Sequence, residues 1–228
     1  VIAPRVISLD LDDTLWPVSP VIAAAEEVLM DWLRTHHPRA AAGHDVLSMR
    51  ELRAAVSARF PDQRHDLSFL RRRSLFELFA AAGYTTDGPG SGPLDDAMEV
   101  FYTERNRVEF YADVRPALER LRSRYRLFAV SNGNADLHRC GIADVFEGHV
   151  TASGAGAAKP DARIFAHLLL LAKVEPIEVL HIGDDPLADV VGATRAGLQA
   201  VWLNRESRRW PDEFAPPPRT VSTLADIT

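Results

Sequence analysis

The sequence predicts an α/β protein with a parallel sheet and a block of helices inserted after its first strand. Two observations carry this. From about Pro116 onward, short apolar runs alternate with segments of helical periodicity, the pattern of parallel strands joined by right-handed crossovers. Between Pro20 and Tyr111, by contrast, apolar residues recur only at helical spacing. With 228 residues the chain has room for one sizeable core and an insertion.

Val6 to Leu9 is apolar and β-branched at its start, so it reads as a short buried strand. Helical spacing then joins Val21, Ala25, Val28, Leu29, Trp32 and Leu33, and His36-His37-Pro38 ends that segment. A second helix is expected from about Val46 to Phe60. A third carries Leu67, Leu70, Leu75, Leu78 and Phe79, with Gly83 as its stop. Its Arg71-Arg72-Arg73 run reads as a solvated face with one arginine bridged to an acid, or as one arginine turned into a cleft. Thr86 to Pro93 reads as a loop, and a fourth helix carries Leu94, Ala97, Met98 and Phe101. Four such helices suggest a small bundle. Beyond it come a helix from Pro116 to Ser123 and strands at Leu127–Val130, His149–Thr151, Val179–Ile182 and Gln199–Leu203. Helices are expected around Ile164–Leu171 and Leu187–Ala196. Ala152 to Ala158 and Asn204 to Pro218 read as loops. The architecture is therefore Rossmann-like. Residues 1–16 and 112–228 form the core, and residues 17–111 form a helical cap that starts just past the first strand and would lie over its end.

The chemistry gathers where strands end, as ligand sites do in open α/β sheets. The first strand runs into Asp10, Asp12 and Asp13. Carboxylates are depleted from strands and seldom buried without a partner. If the extended path continues, Asp10 and Asp12 leave on the same side, and a divalent cation would offset their repulsion. Asp10 then reads as nucleophile and metal ligand, and Asp12 as general acid/base; solvated acids capping the next turn are the alternative. Ser131, with the backbone N–H groups of Asn132 and Gly133, can hydrogen-bond a phosphoryl oxygen, although S-N-G is also a common turn. Lys159 precedes a helix start, where an anion is favoured; taken alone, it reads as a surface lysine. Asp184, Asp185 and Asp189 follow another strand. One of them can complete a Mg²⁺ site with Asp10, another can hold Lys159, and the rest can cap the next helix.

In this order the motifs D-L-D-D-T-L, V-S-N-G-N, K-P and G-D-D-P-L-A-D resemble the haloacid dehalogenase-like hydrolase superfamily over nearly the whole chain. The helical insertion looks like its C1 cap. D-L-D-D-T-L with S-N-G-N-A and H-I-G-D-D looks similar to bacterial phosphatases active on FMN and on phosphorylated ribitylaminouracil. The resemblance implies an aspartyl-phosphate on Asp10, proton transfer by Asp12, and phosphoryl binding by Ser131 and Lys159. It implies Mg²⁺ on the Asp10 carboxylate, the Asp12 carbonyl and Asp184, with Thr14, Asp185 and Asp189 in support. Trp16 stands where relatives often carry a smaller residue or tyrosine, and it reads either as a pocket wall or as a packing hinge.

Composition narrows the partners. The net charge of -6 leaves no electrostatic footprint for nucleic acid or an anionic membrane, so an anionic substrate needs local positive charge or a metal. No apolar run reaches membrane-spanning length and no signal peptide precedes the first strand, so a cytoplasmic monomer or homodimer is expected. One cysteine, Cys140, allows no internal disulfide and reads as a small buried residue. The expected activity is a Mg²⁺-dependent phosphomonoesterase for a small phosphate ester. The competing readings are a 2-haloacid dehalogenase, against which Asp12 argues, a phosphoglucomutase-like enzyme, and a non-catalytic binding module.

Overall fold

The computed structural model describes residues 3–85 and 92–227. Most of the stretch read as a loop from Thr86 to Pro93 lies outside them. Pro93 itself opens a helix, where its fixed φ and missing N–H carry no penalty. The chain divides into two compact units, Val1–Pro17 with Glu109–Thr228, and Val18–Val108.

Strand β1 (Val6–Leu9) is buried at every residue. The helical unit follows, with α1 (Val18–His36), α2 (Pro38–Ala41), α3 (Val46–Arg59), α4 (Leu67–Ala81) and α5 (Pro93–Arg105). Its boundaries have local causes. Asp45 and Ser48 form a reciprocal capping box at the start of α3, and Asp66 caps α4 by accepting from the Phe69 N–H at 2.8 Å. Gly83, at φ +73°, turns the chain out of α4. Ala25, Leu29, Leu33, Leu75, Phe79, Ala97 and Phe101 form the unit's core. Each member of the arginine run finds an acid. Arg72 meets Asp95 at 2.6 Å and Arg73 meets Glu77 at 2.9 Å. Arg71 is buried over the Phe101 ring, 3.7 Å from Glu26.

The second unit resumes with α6 (Val114–Arg122), β2 (Arg126–Ser131), β3 (Gly148–Thr151), α7 (Ala152–Ala155), α8 (Ala162–Ala172), β4 (Val179–Gly183), α9 (Gly192–Arg195), β5 (Gln199–Leu203) and β6 (Thr220–Val221). Two sequence expectations need correction. The start of the small-residue stretch read as a loop is one turn of helix, capped by the Thr151 hydroxyl and closed by Gly156 in the left-handed region. The segment read as a helix from Leu187 is a π-helical turn, Pro186–Val191, that passes into α9. β6 went unpredicted, because two residues are too few to show alternation.

The sheet is six-stranded and parallel throughout, in the order β3-β2-β1-β4-β5-β6. This is the α/β Rossmann-like arrangement expected. Phe128, Val130, Ile164, Phe165, Leu168 and Trp202 pack its core. Register positions the chemistry: Leu9 lies opposite Ala129 on one side and Ile182 on the other. Asp10, Val130 and Gly183 thus stand level one residue later, and the Asp10 N–H donates to the Ile182 carbonyl at 2.9 Å. Three strands deliver their polar sequels to one carboxyl edge. Cys140 is buried, as expected. No helix among the described residues is long and apolar enough to cross a membrane.

The helical unit buries one carboxylate, Glu26, among its described residues, and it accepts from Arg50 at 2.6 Å and Arg53 at 2.5 Å. Glu26→Gln should lower stability by about 1–3 kcal/mol, because it removes the counter-ion of guanidinium groups that are only partly open to solvent. Urea denaturation measures this, and a change within experimental error would show that the arginines find solvent instead.

Candidate active site

Asp10 leaves β1 into a tight loop. The Leu15 N–H donates to the Leu11 carbonyl at 2.7 Å and the Asp13 N–H to the Trp16 carbonyl at 2.8 Å. Asp13 takes φ +58°, a left-handed conformation that aspartate tolerates better than most residues. The loop folds Thr14 back over the strand end. Its hydroxyl lies 3.4 Å from Asp10 Oδ2 and 3.5 Å from Asp184 Oδ1, so it donates between two carboxylates.

Lys159 is 5% exposed, and its ammonium finds three acceptors: Asp10 Oδ1 at 2.6 Å, Asp189 Oδ1 at 2.6 Å and the Val130 carbonyl at 2.8 Å. These match its three N–H donors. Its main chain is clamped as well. Asn132 donates to the Lys159 carbonyl at 2.9 Å and accepts its N–H at 2.7 Å. The side chain of Asn132 therefore holds the lysine in place, whereas the sequence suggested only its backbone N–H as a phosphoryl donor. Ser131 is buried, and its hydroxyl accepts the Gly133 N–H at 2.9 Å.

The three acids after β4 separate by role. Asp185 caps the π-helical turn, accepting from Leu187 at 2.8 Å and Ala188 at 2.7 Å. Asp189 sits within that turn and both its oxygens are engaged. Oδ1 accepts from Lys159, and at 3.2 Å from His181; Oδ2 accepts the Asp185 N–H at 2.9 Å. A Cβ at residue 183 would overlap this carboxylate, so glycine there lets Asp189 close on the strand end. Asp184 turns Oδ1 toward Thr14, while Arg208 donates to Oδ2 at 2.9 Å and to the Asp184 carbonyl at 2.7 Å.

Asp10, Asp184 and Asp189 each offer an oxygen within 4.8 Å of the others. Burial pushes the Asp10 carboxyl well above its usual range despite Lys159, and the charges of Asp189 and Asp184 push the same way. Burial also raises Asp184, to about 6, with Asp189 adding to the rise and Arg208 opposing it. Burial opposes the charge on Asp189 too, but Lys159 and the His181 hydrogen bond win and hold it well below the ordinary carboxylate value. Lys159 moves upward: burial works against its charge, and Asp10 and Asp189 more than offset it. Lys159 and Arg208 thus face three carboxylates, a set of hard oxygen donors one positive charge short. Such a set suits a divalent cation. Asp10 and Asp184, which share Thr14, are the donors that fit it, because both oxygens of Asp189 are already engaged.

Asp12 is half-buried and accepts the Trp16 indole N–H on Oδ1 at 2.8 Å. Of the residues picked from sequence, Asp10, Thr14, Lys159, Asp184 and Asp189 meet in one hydrogen-bonded group, with Asp185 capping beside it. Sequence reading missed His181, Ser8 and Arg208. His181 is fully buried in β4, and burial lowers its pKa and keeps it neutral. Its Nε2–H then donates to Asp189, and Nδ1 accepts the Ser8 hydroxyl at 2.8 Å. A polar residue at the centre of each of two adjacent apolar strands was the available signal. Arg208 left none, since it sits in an aperiodic tail.

The sequence matches the haloacid dehalogenase-like hydrolase family over residues 4–197. The chain belongs to that family. It is 33% identical over 230 residues to the 5-amino-6-(5-phospho-D-ribitylamino)uracil phosphatase YigB of Escherichia coli K12, covering 97% of this chain and 94% of the relative. A crystal structure of a 2-haloacid dehalogenase from Pseudomonas syringae pv. tomato DC3000 is similar too, at 36% identity, TM-score 0.89, and 97% and 95% coverage. So is a HAD phosphatase from Thermococcus onnurineus, at 25% identity, TM-score 0.68, and 97% and 94% coverage.

The Asp184 environment sets a pH dependence for this hydrolase. Its pKa rises from 3.8 unfolded to about 6 folded, so between those values the folded state holds a proton that the unfolded state releases. Stability from this group is present below the lower value and is lost as pH rises through the upper one, by about 3 kcal/mol. In chelator, the wild type should lose stability relative to Asp184→Asn between about pH 4 and about pH 6 in urea titrations. A difference that stays flat with pH would contradict the burial argument.

Proposed function

We propose that this hydrolase is a Mg²⁺-dependent phosphomonoesterase that works through an aspartyl-phosphate on Asp10. The observation that carries the reading is the charge balance at the strand ends. Asp10 and Asp184 face one hydroxyl, Lys159 is fully engaged, and the group still lacks positive charge. A dianionic phosphate would not enter such a site on an acidic protein unaided. Bound Mg²⁺ would supply the missing charge and polarise a phosphoryl oxygen, held by the Asp10 and Asp184 carboxylates and the Asp12 carbonyl.

The chain's own residues account for the remaining steps. Lys159 and Asp189 fix the Asp10 carboxylate for attack. A bond forms from an Asp10 oxygen to phosphorus as the bond to the leaving oxygen breaks, and protonated Asp12 gives its proton to that oxygen. Asp12 then takes a proton from water, the water oxygen attacks phosphorus, and phosphate leaves with Asp10 restored. Ser131 and Gly133 lie at the same edge to bind phosphoryl oxygens once their mutual hydrogen bond opens. The substrate is a small phosphorylated metabolite such as FMN, ribitylaminouracil phosphate or a sugar phosphate. The likeness to YigB along nearly the full length of both chains supports this class.

A second reading has its own support in the likeness to the Pseudomonas syringae dehalogenase. Attack of Asp10 on carbon would release halide, a leaving group that needs neither a proton nor a metal. Asp12, held two residues beyond the nucleophile, would then have no task. The test is to supply phosphate monoesters and 2-halo acids, each with Mg²⁺ or with excess chelator. Phosphate release that chelator abolishes is the expected outcome, and halide release in chelator would favour the dehalogenase. With an aryl phosphate and Mg²⁺, Asp12→Asn should still be phosphorylated but hydrolyse the intermediate about 10²–10⁴-fold more slowly. Asp10→Asn should form none. Mass spectrometry after acid quench reads both variants, and an Asp12→Asn protein turning over at the wild-type rate would remove Asp12 from the mechanism.

A further inference from the structure

The residue with no task so far is Trp16. It is fully buried, the largest such side chain in the protein. A packing role explains its bulk: its ring meets Phe110 edge to face, with centroids 5.5 Å apart at 78°. Packing does not explain its polar end. A buried indole N–H needs an acceptor, and here that acceptor is Asp12 Oδ1 at 2.8 Å. The loop is built to bring the two together. The Asp13–Trp16 backbone bond pairs residues 12 and 16 side by side, and Leu15 is tied both to Leu11 and, through its carbonyl, to the Tyr111 N–H at 3.0 Å. An indole carries one donor in the ring plane, so a carboxylate that accepts it is restricted in both position and rotation.

We propose that Trp16 is the positioning residue for the acid/base of this hydrolase: its buried N–H orients the Asp12 carboxylate for proton transfer. The inference rests on Asp12 having that role. Phenylalanine at 16 would keep an aromatic ring against Phe110 but leave Asp12 without this donor, and so without the constraint it sets on the carboxylate. Phosphorylation of Asp10 by an aryl phosphate, whose leaving group needs little protonation, would be spared. Hydrolysis of the aspartyl-phosphate, which needs water activated by Asp12, would slow by about 10-fold, the scale of one hydrogen bond to a charged group.

The experiment is a double-mutant cycle on Trp16→Phe and Asp12→Asn, with aryl phosphate and Mg²⁺, reading kcat and the acid-quenched phosphoenzyme fraction. The expected result is that Trp16→Phe accumulates phosphoenzyme and lowers kcat, while in the Asp12→Asn background it changes neither further. Equal effects in both backgrounds, or no accumulation, would overturn the proposal. If Asp12→Asn itself turned over normally, the acid/base reading would fall first, and the data would show that separately. Two controls isolate packing. Phe110→Leu removes the ring contact and leaves the N–H, so it should not accumulate phosphoenzyme; accumulation equal to that of Trp16→Phe would overturn the proposal. Trp16→benzothienylalanine keeps the bicyclic shape without the N–H, so it should behave as Trp16→Phe even if the smaller ring is poorly tolerated; wild-type behaviour would again overturn it.

Discussion

The Lys159 ammonium is the point on which the site depends. Its three donors go to Asp10 from the end of β1, to the Val130 carbonyl of β2, and to Asp189 from the turn after β4. One buried cation thus joins three strands of a sheet whose register has brought their ends level. Each neighbour of Lys159 is held in turn. Asn132 grips its backbone, while His181 and the Asp185 N–H hold Asp189. Such a group leaves little freedom to the Asp10 carboxylate, and on the proposed reading that pre-set geometry serves its attack on phosphorus. Removing Lys159 would leave the Asp10 and Asp189 carboxylates buried without their shared cation, a costly arrangement for a folded protein.

The same arrangement explains why the site calls for more positive charge. Lys159 and Arg208 face three carboxylates, so folding gathers negative charge that the chain does not neutralise. The raised pKa directions of Asp10 and Asp184 express that imbalance. A bound proton relieves it at low pH. On the proposed reading, Mg²⁺ relieves it in the working enzyme. The likeness to both a phosphatase and a structure described as a dehalogenase then becomes a question about chemistry rather than fold. The Asp10–Lys159 pair suits either reaction, whereas on the proposed reading Asp12 and the Asp184 carboxylate supply the proton and the cation site that only phosphoryl transfer needs.

Part of this was legible in the sequence, because Asp10, Ser131 and Asp184 stand at or just past the ends of apolar runs whose length marks a buried strand. Asp10 after Val6–Leu9 and Asp184 just past Val179–Ile182 are found in this way. The split between Asp185 and Asp189 was not, since it depends on a π-helical turn, and periodicity alone cannot distinguish that from an α-helix. Glycine at 183 is the trace of the close approach, and only the geometry gives it meaning. Arg208 was invisible for another reason. Reciprocal bonds with Asn204, both 2.8 Å, hold its backbone in an irregular tail. The Ser8–His181 pair could have been suspected from two polar residues inside apolar strands, but their contact depends on register, which a single sequence does not state.

On the proposed reading these carboxylates are poised for a divalent cation, because they lack the positive charge to balance them. Calorimetric titration of the metal-free protein with Mg²⁺, repeated in buffers of different ionisation enthalpy, measures binding and proton release together. Since Asp184 sits at about 6 and Asp10 is pushed in the same direction, binding near that pH should expel protons, and less should be expelled as the pH is raised. Asp184→Asn should weaken binding and reduce the release. Binding with no proton release near pH 6, or the same affinity in Asp184→Asn, would contradict the account.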